Sequence, residues 1–515
     1  MVLTPSSNSA TGVRRVLATG NWHCKVTVRT TPAITRNTRV ILRGCDFFNA
    51  GGRFFWVFLS EASYEEGVND ARGSEKEWFE HNRPGVRLRR PERQQIGWVA
   101  QCADDLVAAA HPVRMVMAVV EKLELWRFCE PIRAREGQAG RDATDPRLLV
   151  GLWLYASIRG IGSARELARR CEESAPFRWL CGGVTVNHRL LSDFRSDHSE
   201  ALDELFTQVI ASLVDQGVVR VSRISQDGVR VRVSAGASSF HREERLRELL
   251  RQAQQHVQEV RRQLQDPARM AGLSARQKAA RQRAAKEKQQ RLEQAIAQLP
   301  ELQRKQEEAE KRAGAGEHGQ KVRERQARVS TTDPEARRMK MPNGGFNPAV
   351  NVQLATDTDS RAIVAVEVTQ AGSDAVGLSE PLREQVEERS GGKVEQHLLD
   401  GGYLRNDDIE QAHAQGVELF VPPKPAKNPQ NRGRELQAKR GDSEAVRAWK
   451  QRMASEQGKE IYKLRAATSE TVNADLRSYR GLTPFTVRGL HKIKCVALWC
   501  ALGYNILHFG RALLS

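Results

Sequence analysis

The stretch Val350-Asn351-Val352-Gln353-Leu354-Ala355-Thr356-Asp357-Thr358-Asp359-Ser360-Arg361-Ala362-Ile363-Val364-Ala365-Val366-Glu367-Val368 decides the architecture. Val350, Val352 and Leu354 alternate with polar residues, Asp357-Thr358-Asp359-Ser360 turns the chain, and Val364, Val366 and Val368 alternate back. That period of two predicts a β-hairpin. Upstream, Val229, Val231 and Val233 alternate with Arg230 and Arg232, so residues 218–234 are predicted as a half-buried strand. Downstream the pattern predicts a helix over about 378–389 and a strand over 394–399 ending in Asp400-Gly401-Gly402-Tyr403. A short helix from Asp407 then leads to a strand over 417–421, stopped by Pro422-Pro423. Residues 424–455 are polar and rich in Lys and Arg and are expected to form a mobile connection. Helices near 458–479 and 488–512 close the chain.

Three antiparallel strands, followed by strands reached through crossover helices, describe an α/β fold with an RNase H-like mixed sheet. Residues 242–330 interrupt it. There Leu246, Leu250, Ala253, Val257, Val260 and Leu264 recur at spacings of four and three, a coiled-coil seam. Asp266-Pro267 breaks that helix, and a second run passes Leu292, Ile296 and Leu299, so an antiparallel helical hairpin is expected. From about 104 to 216 the pattern is helical. Asp145-Pro146 opens one helix, Ser163-Ala164-Arg165-Glu166 has the form of a capping box, and Gly182-Gly183 breaks the chain. A further helix from Asn187 is expected to carry His188, Arg189 and Arg195 on its polar side. Short helices with a glycine break suit helix-turn-helix DNA binding or an ordinary helical bundle. The expected organisation is therefore a poorly ordered basic extension (1–86), an all-α DNA-binding module (87–216), the first part of the α/β domain (217–241), the helical insertion (242–330) and the rest of the α/β domain (331–515).

The chain has 515 residues, with 81 Lys+Arg against 63 Asp+Glu, a net charge of +18. The excess is local. Residues 1–60 hold eight cations and one acid, Asp46, and residues 241–330 hold 22 cations and 13 acids. Such patches favour a polyanionic partner, and nucleic acid is the first candidate. Eight cysteines without a CxxC pair offer neither a disulfide framework nor a zinc signature. Cys495 and Cys500, on an apolar helix, read as core residues. The longest apolar run, 496–509, is too short to span a membrane and carries Asn505 and His508. With no signal-peptide pattern at the N-terminus, a cytoplasmic location is expected. Residues 1–86 show no sustained period; their aromatic cluster Phe54-Phe55-Trp56-Val57-Phe58 stands alone, in either a DNA-touching arm or an irregular extension dispensable for activity.

Phosphodiester chemistry at neutral pH needs an activated nucleophile and a stabilised leaving oxygen. Two divalent ions about 4 Å apart supply both, and such hard cations take carboxylate oxygens. Asp227 interrupts an otherwise apolar and basic strand, where burial without a cation is costly, though a turn acid before Gly228 explains it equally. Asp400 ends a buried strand before Gly401-Gly402, again either a site or a turn acid. Glu470 is a helical acid, and a solvated face would account for it alone. Among other acids, Asp357 and Asp359 belong to the hairpin turn, Asp374 to a helix start, and Asp407 and Asp408 to caps. Glu460 and Asp475 are the nearest rivals to Glu470.

Taken together, Asp145-Pro146-Arg147, Gly162-Ser163-Ala164-Arg165-Glu166-Leu167, Gln226-Asp227-Gly228, Leu399-Asp400-Gly401-Gly402-Tyr403 and Arg465-Ala466-Ala467-Thr468-Ser469-Glu470-Thr471-Val472-Asn473 form five ordered blocks. In these blocks the chain resembles the bacterial insertion-sequence DDE transposases over roughly residues 88–514. The resemblance implies an RNase H-like catalytic domain in which Asp227, Asp400 and Glu470 hold two Mg²⁺ (or Mn²⁺) ions. It also implies double-stranded DNA partners (element ends and target), a homo-oligomer on DNA and a nucleoid-associated, membrane-free location. The family often shows Tyr, two residues, Arg, three residues, Glu, six residues, Lys around its last acid. Here Tyr462 and Arg465 keep their mutual spacing, four residues separate Arg465 from Glu470, and Arg477 stands where Lys is usual. Tyr462, Arg465, Arg477, Arg189 and Arg195 are the expected DNA contacts. Two other functions fit the same residues: a nuclease that hydrolyses without strand transfer, and an inactive DNA-binding relic.

Overall fold

The computed structural model describes residues 101–515 apart from 136, 138–140, 267–271, 315, 325, 373–376 and 427, together with the short strands Phe47–Phe48 and Phe54–Phe55. Those two strands pair antiparallel within a separate N-terminal unit spanning residues 1–98. The rest of the expected basic extension, and Asp374, lie outside the described residues.

The helical module begins with α1 (Pro112–Lys122) and α2 (Pro146–Ile158). Asp145 caps α2 through the Arg147 N–H at 2.8 Å, with Pro146 in the first turn. Apolar residues lie on all sides of α2, and all but Arg147 are buried, which makes it the axis of the module. Next come α3 (Ala164–Glu173), α4 (Ala175–Cys181), α5 (His188–Ser196) and α6 (Ser199–Asp215). Half of the expected capping box forms. Ser163 accepts from the Glu166 N–H, but the Glu166 carboxylate turns to Arg169 and Arg170 instead of returning to Ser163. Asn187 caps α5 through the N–H groups of Arg189 and Leu190.

The sheet begins with β1 (Arg223–Arg232). After the insertion come β2 (Arg337–Lys340), β3 (Phe346–Asp357), β4 (Ile363–Thr369), β5 (Gln396–Leu399) and β6 (Glu418–Phe420). The predicted hairpin is β3–β4, and buried Asp357 closes its turn by accepting from the Ser360 N–H and hydroxyl. β1 runs antiparallel to β3 and parallel to β5, and β6 runs parallel to β5. The spatial order is β6-β5-β1-β3-β4, with β2 beside the first residues of β3. α11 (Ser379–Ser390) connects β4 to β5, and α12 (Asn406–Ala414) connects β5 to β6. Asp407 and Asp408 lie in the first turn of α12, which Arg405 precedes as cap residue, so they are not caps themselves.

Within the insertion, α7 (Glu243–Gln265) and α8 (Ala275–Ala297) form the expected antiparallel pair. Leu246 and Ala253 cluster with Leu292, Ala295 and Leu299, whereas Val257 and Val260 cluster with Ala285. α9 (Leu299–Arg312) and α10 (Glu317–Arg323) lead back to the sheet. Phe240–His241 pairs with Val329–Ser330 and ties the two ends of the insertion together.

One expectation fails at 424–455. α13 (Glu444–Ala454) lies there, with Val446, Trp449 and Met453 buried at helical spacing, the Trp449 indole donating to Val421 O and Lys450 paired with Asp442 at 2.6 Å. The dense Lys and Arg mask this short apolar stripe in composition. Then follow α14 (Glu456–Arg465), a π-helical turn (Ala466–Glu470) and α15 (Thr471–Tyr479). The last helix, α16 (Leu490–Phe509), is buried over most of its length. Asn505, a polar residue in that apolar run, accepts from Ile363 N–H at 3.0 Å and donates to Ile363 O at 2.8 Å. A Cβ at Gly503 would sit 2.9 Å from Ser157 Cβ, so glycine is what lets α16 approach α2. Module and sheet thus share one continuous core from Val107 to Leu513. Buried Arg389 on α11 reinforces the join, donating to both Asp203 carboxylate oxygens on α6 at 2.8 and 3.0 Å. Cys495 and Cys500 are buried and free, as expected of core residues. Among the described residues no helix is long and apolar enough to cross a membrane.

Candidate active site

Asp227 and Asp400 are brought together by strand register. The parallel pairing of β1 with β5 aligns Gln226 with Leu399, so the next residues along, Asp227 and Asp400, are neighbours. Asp400 keeps an extended backbone (φ −69°, ψ 155°) as it leaves β5, so the alternation of the strand carries through to it. Strands lie about 4.8 Å apart, and register partners in a parallel pair face the same side. On the opposite side of the sheet, buried Gln226 donates to Gln353, which also accepts from the Tyr403 hydroxyl. That network anchors the Gly401–Tyr403 turn directly behind Asp400.

Glu470 arrives on the same face from the far end of the chain. The π-helical turn that ends in Glu470 packs against β1 and β3, with the Ser469 and Ser225 hydroxyls 2.5 Å apart. Here the unusual spacing in the sequence acquires a geometric meaning. In an α-helix, residues five apart lie about 140° apart around the axis. A π-turn is wider and absorbs one extra residue. Arg465 and Glu470 therefore share a face and pair at 3.1 Å, despite the additional residue between them.

Arg465 is the electrostatic centre. Its guanidinium pairs with Asp227 at 3.4 Å as well as with Glu470, and its side chain is only 11% exposed. Burial alone would lower its pKa, but the charges of Asp227, Tyr462, Asp400 and Glu470 outweigh that and raise it. Tyr462, one turn earlier, responds to the same ring: burial first, then Asp400, Asp227 and Glu470, push its hydroxyl pKa up, while Arg465 opposes them. Asn473 donates to Asp227 Oδ2 at 2.9 Å, and the other oxygen accepts from the Gly228 N–H. Asp227 and Glu470 thus share one guanidinium, on which the charge of Asp400 also acts. Among the described residues no three His, Cys, Asp or Glu side chains close on a single point tightly enough to hold a metal ion. The donor set nevertheless suits a divalent ion. It consists of hard carboxylate oxygens, and the arrangement already draws a positive charge into its centre.

The remaining candidates separate clearly. Arg477 is exposed on α15, seven residues beyond Glu470 and therefore on its side of the helix. Arg189 is exposed on α5. Arg195 is a correction: it is not on the polar side of α5 but buried, stacked 4.8 Å above the Trp153 ring and donating to Gly162 O. That guanidinium is used inside the module, because the long side chain reaches back under the helix that the sequence pattern displayed as amphipathic. The rivals to Glu470 are engaged elsewhere, Glu460 with Lys463 and Asp475 with Arg480. Asn473 was not among the expected site residues; its spacing of three from Glu470 on one helix was the available signal. Ser225 and Ser469 offered none, since only the fold makes them meet.

Two segments match known families. Residues 101–197 match the family described as Transposase domain (DUF772), and residues 317–506 match the Transposase DDE domain. The second segment includes Asp400 and Glu470, whereas Asp227 precedes it. Neither a curated protein nor a solved structure matches the chain.

Proposed function

For a chain that is a transposase enzyme of the DDE class, we propose that Asp227, Asp400 and Glu470 form the catalytic site of an RNase H-like domain, which cleaves element-end DNA and joins the freed 3′-hydroxyl to target DNA. The observation that carries this reading is the register that makes Asp227 and Asp400 neighbours, with Glu470 linked to Asp227 through Arg465. Transposases of this class depend on divalent metal, and here the three carboxylates would hold it, as two Mg²⁺ or Mn²⁺ ions. Bound there, the ions would supply charge stabilisation to the attacking and leaving oxygens.

The chain's own residues do the rest. Asn473 and the Gly228 N–H fix the rotamer of Asp227, so its oxygens face the site rather than solvent. Arg465 neutralises the acids while no other cation is present, and exposed Arg477 is placed to meet a phosphate on the same side. The helical module, with Arg189 on its surface, serves end recognition, and the α7–α8 coiled coil projects from the catalytic domain. Work on two ends suits a homo-oligomer on DNA, and a nucleoid-associated setting follows from that partner.

The test uses Asp227→Asn, Asp400→Asn and Glu470→Gln in the full chain. Each should lower Mg²⁺-dependent end cleavage by about 10³-fold or more, equivalent to about 4 kcal/mol of transition-state stabilisation. DNA binding should persist. Near-normal cleavage by any one of them would refute its assignment. Strand transfer into supercoiled target separates transposition from hydrolysis alone, and retained binding without any cleavage by the unaltered chain would indicate a relic.

A further inference from the structure

The positive charge of the insertion is concentrated on one helix. α8 carries seven cations (Arg276, Lys278, Arg281, Arg283, Lys286, Lys288 and Arg291) against two acids, Glu287 and Glu293. The flanking helices are nearly balanced: α7 has five cations and four acids, and α9 has four of each. Pairing follows the same division. On α7, Arg245, Arg247 and Arg262 pair with acids of their own helix, as do Arg304, Lys305 and Arg312 on α9. No cation of α8 makes an ion pair or side-chain hydrogen bond with a described residue. Arg276, Arg281, Arg283, Lys286 and Lys288 are all exposed.

Unshielded like charges along one helix repel one another, and pairs at i,i+3 or i,i+4 that would relieve this are absent from α8. Its neighbours, built from the same residue types, have them. The arrangement is unfavourable for the isolated chain and becomes favourable when an external polyanion lies along it. From Arg276 to Arg291 the helix rises about 22 Å, the length of roughly six to seven base pairs of duplex. The exposed charges of α8 are five cations against the two acids Glu287 and Glu293, an excess that suits phosphates.

We propose that α8 is a sequence-independent binding face for the DNA backbone, separate from the acids of the catalytic site and from the helical module. This rests on the DNA-handling function proposed above and adds the surface that grips DNA outside the site. The measurement is equilibrium binding of the full chain to a short labelled duplex of arbitrary sequence, between about 50 and 200 mM KCl. One variant combines Arg276→Gln, Arg281→Gln, Arg283→Gln, Lys286→Gln and Lys288→Gln. A control combines Arg245→Gln, Arg247→Gln, Arg304→Gln and Lys305→Gln on α7 and α9. Each lost phosphate contact lowers the log–log salt slope by about 0.9, so the α8 variant should lose between about 2 and 4.5. The control should change it by less than about one, with both variants keeping the helical circular dichroism of the unaltered chain. A slope unchanged in the α8 variant overturns the proposal, and if sedimentation then shows a changed association state, the face pairs two copies of the chain. Should the unaltered chain fail to bind duplex at any salt, the DNA-handling function itself falls, a result distinct from an unchanged slope.

Discussion

Replacing Arg465 with methionine removes the cation at the centre of the candidate site while retaining much of its apolar stem. Two pairs are lost. The Glu470 pair is worth at most about 1 kcal/mol, since that carboxylate is 60% exposed and solvent screens it. The Asp227 pair is better shielded, with side chains 11% and 21% exposed. Breaking a fully buried pair costs about 3–5 kcal/mol, and partial exposure reduces this to about 2 kcal/mol. Packing of the methionine recovers part of the total, so Arg465→Met should destabilise the protein by about 2 kcal/mol when metal is chelated. With Mg²⁺ the outcome should change, because ions held by the proposed carboxylates would compete with the guanidinium for the same negative charge. Removing the guanidinium should tighten Mg²⁺ binding roughly tenfold, which returns about 1.4 kcal/mol by linkage. Urea unfolding with EDTA and with saturating Mg²⁺ reads both effects. Equal destabilisation in the two conditions, or none with EDTA, would refute a guanidinium that holds the place of the metal charge.

The π-helical turn should tolerate change in one direction. Inserting one alanine between Ala466 and Ala467 rotates Glu470 by about 100° relative to Arg465, and end cleavage should fall by more than about 100-fold with the helix content intact. Deleting Ala467 makes the pair i,i+4 neighbours of an ordinary helix and should keep cleavage within about tenfold; the reverse ranking would remove the role assigned to the turn. Another test concerns His397, fully buried with neither ring nitrogen hydrogen-bonded. Burial, helped by Arg383, lowers its pKa to about 3. The unfolded chain therefore binds the extra proton between its ordinary value of about 6.5 and about 3, and stability is lost as pH falls through that window. At pH 5 the loss is about 2 kcal/mol. His397→Leu should lose correspondingly less stability between pH 7 and pH 5 in urea titrations; identical losses would show that His397 is not the group responsible.

Local patterns were legible where local physics sets them. Alternation of Val350, Val352 and Leu354 with polar residues marks a strand by its period of two, and β3–β4 forms there, although β3 is buried on both faces and its polar Asn351 and Gln353 lie inside as well. Spacings of four and three from Leu246 to Leu264 marked the packed side of α7, where Leu246, Ala253, Val257 and Val260 are buried. Asp227, Asp400 and Glu470 were named through the family resemblance of five ordered blocks, since spacing alone left a turn acid or a solvated face open for each. Compositional reading misled at 424–455, where charged residues surround the few apolar positions that α13 buries. It misled again at Arg195, whose charge suggested solvent although its stem and planar head stack on Trp153.

By itself, the sequence determined β1 and β3 to β6, the inserted helical pair and the basic balance of the chain, since periodicity and charge are properties of neighbouring residues; β2 was not marked, and Asp227, Asp400 and Glu470 were named only as the family resemblance implies. Only the tertiary structure decided that Asp227 and Asp400 stand side by side, because parallel register is set by crossover packing and not by either strand alone. It alone turned the extra residue after Arg465 into a π-helical turn, held against β1 by Ser469 and Ser225. An isolated helix gains nothing from that wider turn. The sheet beneath it stabilises the turn, and with it the meeting of Arg465, Glu470 and Asp227.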